Sequence, residues 1–231
     1  MKQLAIVLPR RSAFGRSDFF VSESNRRALA LIDRWPDWPA GTLVLSGPPK
    51  CGKTHLAHLW RERAGAEILD GGSLSEATLS RLFAAAPCPL VIDDAERAPE
   101  AALFSLANAW SLARAGLLLI ARREPAFWPI ALPDLRSRLL GALSVAIAEP
   151  DDDLLGAVLL KHFADRQLRV APEVLSYLLP RMERSFASVA GIVAGLDAAS
   201  LAQGRPISVP LVREILKEEG DHVPPNDFGV R

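Results

Sequence analysis

Cysteine is nearly absent: Cys51 and Cys88 are the only two in 231 residues, too few for a disulfide framework or a four-ligand zinc site. The N-terminus "MKQLAIVLPRR" lacks the long apolar core and small-residue cleavage site of a secretion signal. No apolar run approaches the roughly 20 residues a membrane helix needs. These absences point to the cytoplasm and away from a membrane. An excess of charge is missing too: 27 basic residues balance 27 acidic ones, for a formal net charge of +0. No global field draws such a chain onto nucleic acid, and direct sequence-specific DNA binding is not expected. What is present, 49% hydrophobic and 23% charged residues, is ordinary for a globular protein, and the length suits one large domain with a small appendage.

Periodicity divides the chain. Residues 1–22 show no sustained period, and Ser24 or Asn25 stands where it would cap a helix over "NRRALALIDRW". "GTLVLSG" reads as a buried strand, and "KTHLAHLWRERAG" as a helix closed by Gly65. Strands near "AEILD", "PLVIDD", "LLLIAR" and "LSVAIAEP" follow, with helices over "SEATLSRLFAAA" and "EAALFSLANAWSLARAG". Strands alternating with helices imply an α/β fold with a parallel sheet covered on both faces. After Pro150 only helical patterns remain: "DDDLLGAVLLKHFADRQ", "PEVLSYLLPRM", "SFASVAGIVAGLDAASLAQG" and "SVPLVREILKEEG". The expected units are a tail at 1–13, a base at 14–149, a helical unit at 150–219 and a loose tail at 220–231.

The segment "GPPKCGKT", Gly47 to Thr54, fits G-x-x-x-x-G-K-[ST] at every required position, between a strand and a helix. Chance would produce the pattern in roughly one chain in a hundred of this length. Gly47 and Gly52 permit turns that aim backbone N–H groups at phosphate oxygens, a wall completed by Pro48, Pro49, Lys50, Cys51 and His55. Lys53 would reach the terminal phosphates and Thr54 would bind magnesium. "PLVIDDAE" delivers Asp93 and Asp94 to the C-terminal edge of the sheet, where ligands of parallel sheets bind. Asp93 would hold magnesium, partly through water, and Asp94 would orient attacking water; alternatively both cap the next turn. Cys51 is an unconstrained loop position or a redox-sensitive thiol. His55 and His58 lack a visible third metal ligand and read as helix-packing residues. Trp35 and Trp38 read as core aromatics beside a strand, with a partner patch as the other reading. Arg136 and Arg138 in "LPDLRSRLLG" are a surface ion-pair site or arginines projecting toward a neighbour's nucleotide.

Taken together, "GPPKCGKTHLAHLW", "LVIDDAE", "LPDLRSRLLG" and "ISVPLVREILKE" resemble the AAA+ module of the bacterial replication initiator DnaA, and within that clade the Hda family of short DnaA-like regulators. The resemblance spans residues 14–218. It implies a five-stranded AAA+ sheet with a helical lid, ADP or ATP with Mg2+ as bound nucleotide, and Arg138 as an arginine finger. Phe20 and Val21 fall where the family places its adenine pocket. Arg122 falls at its polar sensor and Ala187 at its lid sensor arginine, with Arg184 as a substitute one turn earlier. The tail "MKQLAIVLP" is similar to the peptide by which the family grips the DNA polymerase sliding clamp, the beta subunit, with Gln3 supplying an amide and Leu4, Ile6, Leu8 and Pro9 filling a groove. An extra residue separates Ile6 from Leu8.

The function so implied is regulatory: a clamp-tethered protein that directs Arg138 at DnaA-bound ATP. Weak intrinsic hydrolysis is expected, since two sensor positions are altered. The chain ends about a dozen residues past the last lid helix, leaving no room for an origin-binding domain. A homo-oligomer is compatible with all of this. Two rivals are a helicase-loader-like or remodelling ATPase acting on single-stranded DNA, which needs competent sensors and a basic aromatic track, and an adaptor whose nucleotide is never hydrolysed.

Overall fold

The structure, a computed structural model, describes residues 19–220, with side chains described as far as Leu216. Five strands, β1 (Thr42–Ser46), β2 (Glu67–Asp70), β3 (Leu90–Asp93), β4 (Leu117–Ala121) and β5 (Leu143–Ala146), form one sheet in the order β2-β3-β4-β1-β5. All four pairings are parallel. Every residue of β1 and β4 is buried, as expected of central strands covered on both faces, and this is why both read as unbroken apolar runs. The edges β2 and β5 are only partly covered.

Five helices surround the sheet: α1 (Arg26–Asp33), α2 (Lys53–Ala64), α3 (Glu76–Ala84), α4 (Glu100–Ala113) and α5 (Pro133–Gly141). Two cores result. One packs Val44, Ile92 and Leu119 against α4 and α5; the other packs Leu43, Leu45, Val91 and Ile120 against α1 and α2. In the second, Trp38 stacks on Trp60 at 5.0 Å between ring centroids, and Trp35 meets Trp60 edge-on. Both tryptophans are therefore core aromatics. The helix α5, between the fourth and fifth strands, has no counterpart among the helical patterns of the sequence. It is short, opens with Pro133 at its first position and buries only Leu135 and Leu139.

Four further helices, α6 (Asp152–Asp165), α7 (Pro172–Leu178), α8 (Phe186–Gln203) and α9 (Val209–Gly220), enclose their own core of Leu155, Phe163, Leu178, Ile192 and Leu211. Two of these helices are capped by side chains. The Asp151 side chain accepts from the amide of Leu154 at 2.8 Å, and that of Ser185 from Ser188 at 3.1 Å. Among the described residues α8 alone has the length and hydropathy of a membrane span. It buries Val189, Ile192, Val193 and Leu196, a helical stripe, in the core of this helical unit.

Candidate functional site

The phosphate-type loop follows β1 directly. At Gly47, φ is +154°, and a Cβ there would stand 2.5 Å from the carbonyl oxygen of Ile147. Gly52 has φ +101° and precedes α2 without any side-chain cap. The first amides of a 12-residue helix are therefore left for another acceptor. Lys53 Nζ donates to the carbonyls of Gly47 and Pro48, both at 2.7 Å, which holds the ammonium over the loop. Thr54 is exposed on the next position. Cys51 turns inward and is 3% exposed. Burial pushes its thiol above the ordinary value of 9.0, outweighing the opposing pull of Lys53. A thiol so masked is a poor redox sensor.

The acidic edge lies across β4. Val91 packs on the α2 side of the sheet and Ile92 on the α4 side, so strand alternation turns Asp93 back toward α2. Leu45 pairs with Ile120, and Ile92 with Leu119; Asp93 is thus level with Leu45, two strand spacings or about 10 Å away. Asp93 Oδ1 accepts from the amide of Asp94 at 2.9 Å. Asp94, at φ +49°, faces two guanidiniums, Arg97 at 3.5 Å and Arg122 at 3.9 Å. Arg122 is the first residue after β4, and its amide donates to Glu96 Oε1 at 2.8 Å. Among the described residues no group of three or more His, Cys, Asp or Glu side chains is placed to hold a metal. A magnesium ion here would depend on one or two side chains together with phosphate and water, its usual mode.

The segment before α1 differs in detail from expectation. Asn25 occupies the cap position but does not cap the helix; its side chain accepts from the amide of Ser22 at 3.0 Å and donates to the carbonyl of Phe20 at 2.9 Å. Local side-chain bonds of this kind compete with capping. Phe20 is half-buried, and Val21 is 54% exposed. The neighbour that reaches the loop helix is Phe19, which meets the His55 ring edge-on at 5.2 Å. No sequence pattern singled it out.

The helical unit closes over the loop. A cleft of about 380 Å³ is lined by Pro48, Pro49, Lys50, Glu149, Glu183, Arg184 and Ser185. Arg184 Nη2 is bonded to Asp152 Oδ1 at 2.9 Å. The Phe186 amide lies 3.5 Å from the carbonyl of Lys50, and its ring is 3.2 Å from where a Gly52 Cβ would stand. Phe186, missed from sequence, is thus the direct contact between helical unit and loop. Ala187, its neighbour, is exposed.

Arg136 and Arg138 are both exposed on α5, and among the described residues neither side chain makes a hydrogen bond or ion pair. The surface ion-pair reading is not met. Gln3, Leu4, Ile6, Leu8 and Pro9 lie outside the described residues.

Residues 151–216 match the family model of the Hda lid domain. Domain III of the Thermotoga maritima replication initiation protein DnaA superposes with a TM-score of 0.76 at 16% identity, covering 91% of this chain and 98% of that one. AMPPCP-bound DnaA from Aquifex aeolicus gives 0.69 at 18% identity, over 88% and 68%. The Thermotoga maritima RuvB Holliday junction branch migration motor gives 0.72 at 15%, over 89% and 72%. The sheet order and the helices that follow it are those of the AAA+ fold. The helical unit therefore matches the Hda lid-domain family, and the chain as a whole has the fold of DnaA domain III.

Proposed function

We propose that this protein is a cytoplasmic, nucleotide-bound regulator of replication initiation that stimulates hydrolysis of DnaA-bound ATP while tethered to the sliding clamp. The observation that carries the reading is Arg138, exposed on a helix beside the sheet and without a hydrogen bond or ion pair among the described residues, in a chain whose residues 151–216 match the Hda lid. An arginine supplied in trans stabilises charge developing on a transferring phosphoryl group and accelerates hydrolysis by roughly 10³ to 10⁵.

The protein's own nucleotide, ADP or ATP with Mg2+, fits the residues present. A loop with φ +154° at Gly47 and +101° at Gly52, followed by a helix without a side-chain cap, suits phosphate. Lys53, Thr54 and Asp93 would hold it, and the cation would neutralise phosphate charge. The Arg184 cleft borders the same loop. Weak intrinsic hydrolysis is supported by Asp94, whose carboxylate is engaged by Arg97 and Arg122, and by Ala187 on the first turn of α8. Losing one charged contact to a transition state costs about 3 kcal/mol. On this reading the nucleotide fixes shape.

The deciding assay follows hydrolysis of DnaA-bound ATP with and without DNA-loaded clamp. Wild type stimulates, and more so with clamp. Arg138→Ala retains nucleotide and clamp binding but loses stimulation, whereas the adaptor reading requires it to retain function. A chain lacking residues 1–9 loses the clamp effect alone, and rapid steady-state turnover by the isolated protein would instead favour an ATP-driven enzyme.

A further inference from the structure

The connection from β4 to α5 is held at both ends by two carboxylates, Glu96 and Glu100, four residues apart in sequence. Glu96, in the 3-10 turn Ala95–Arg97, accepts from the amide of Arg122 at 2.8 Å. Glu100, the first residue of α4, accepts from the amide of Ala131 through Oε1 at 2.9 Å and from that of Leu132 through Oε2 at 2.8 Å. Residues 122 and 131–132 are the first and last of the connection. Both carboxylates reach across more than twenty residues of chain to backbone, so they fix position rather than side-chain packing.

The grip of Glu100 falls where α5 has no cap of its own. Its cap residue is Leu132, which offers no side-chain acceptor. From another helix, the carboxylate takes the two amides that immediately precede α5, those of Ala131 and Leu132, and sets a negative charge beside the positive end of α5. The two amides, that of Ala131 foremost, hold the Glu100 carboxyl below its ordinary range, so it remains an anion able to accept both bonds. Elsewhere the helix is anchored through Leu135 and Leu139, both on one face. Those leucines set its rotation, and without a fixed N-terminal end it can pivot about them.

Building on the arginine-finger reading, we infer that Glu100 is a positioning residue for Arg138: it pins the start of α5 so that the guanidinium, carried one to two turns further along the helix, is presented at one place on the surface. A finger acts only in register with its target, and a displacement near 1 Å can cost on the order of 100-fold in rate. The contribution therefore belongs to the rate of the docked complex, not to the strength of docking.

The test measures hydrolysis of initiator-bound ATP against increasing protein, separating the maximal rate from the half-saturating concentration, for wild type, E100Q, E100A and R138A. The glutamine side chain of E100Q is nearly isosteric with the native one but can accept through only one oxygen, and it turns an N–H2 toward the other amide. ADP binding and the thermal midpoint verify folding, and E100Q decides if E100A fails to fold. The expected result is a folded, nucleotide-binding E100Q whose maximal rate falls between about 10- and 100-fold, with the half-saturating concentration unchanged. A wild-type maximal rate in E100Q alongside an inactive R138A overturns the inference, as does a loss confined to half-saturation. If R138A itself stimulates normally, the finger reading fails first, and that result is read independently of Glu100.

Discussion

Cys51 shows how one side chain in the loop is disarmed by its position. It sits 3.8 Å from Lys53 Nζ, a cation that would favour a thiolate, yet desolvation dominates and the thiol is held protonated above its ordinary value. Because the folded pKa is raised, the stabilisation it represents is intact below the unfolded value and is lost as pH climbs through the folded one. Stability should therefore decline from about pH 9 upward, more steeply than in a Cys51→Ser protein. Thermal midpoints of the two proteins across that range test this. At neutral pH a maleimide should label exposed Cys88 first and Cys51 only as the chain unfolds; equal labelling rates, read by peptide mass, would contradict the burial argument.

At the scale of elements, the contact that matters most is the first turn of α8 against the loop. Phe186 covers Gly52, whose missing side chain leaves room for the ring. Replacing Phe186 by Ala removes this cover without touching a phosphate-facing group. Nucleotide affinity should fall by about tenfold or less, equivalent to roughly 1.4 kcal/mol. Titration with a fluorescent nucleotide checks it, and unchanged affinity would mean that the lid and loop are energetically independent. How much of this was legible depended on range. The strands β1, β3 and β4 are buried runs, and the loop pattern is local. By contrast α5 hides because its nine residues bury only two leucines and start at a proline, too little for a helical period to emerge. Asn25 looked like a cap because composition cannot tell which of its neighbours an amide will choose. Phe186 and Glu100 act on residues far away in sequence, and no spacing rule reaches that distance. The finger role proposed for Arg138 comes only from family resemblance, since among the described residues its side chain makes no hydrogen bond or ion pair that would mark it.

The whole molecule consists of two kinds of core with little shared apolar content. The sheet's cores draw on residues before 148, and the lid core on Leu155 to Leu216. Such a chain should unfold in two calorimetric steps without nucleotide. If ADP binds between loop and lid, as proposed, it should merge them and raise the midpoint, by mass action on the closed form. Scanning calorimetry with and without ADP and Mg2+ checks this; a single step in both states would show that the lid is not a separate cooperative unit.

The strand order carries a last consequence. β1, which bears the loop, is flanked by β4 and β5, and α5 is slung between those two flanking strands. On the proposed function, the hand that holds this protein's own nucleotide and the arm extended toward another's hang from one frame. Changes that splay the frame should disturb both, so a variant that gains grip on its own ligand by shifting β1 will tend to mis-aim Arg138. Potency toward the partner and affinity for the resident nucleotide are then inherited as a pair, and selection acting on either one constrains the other.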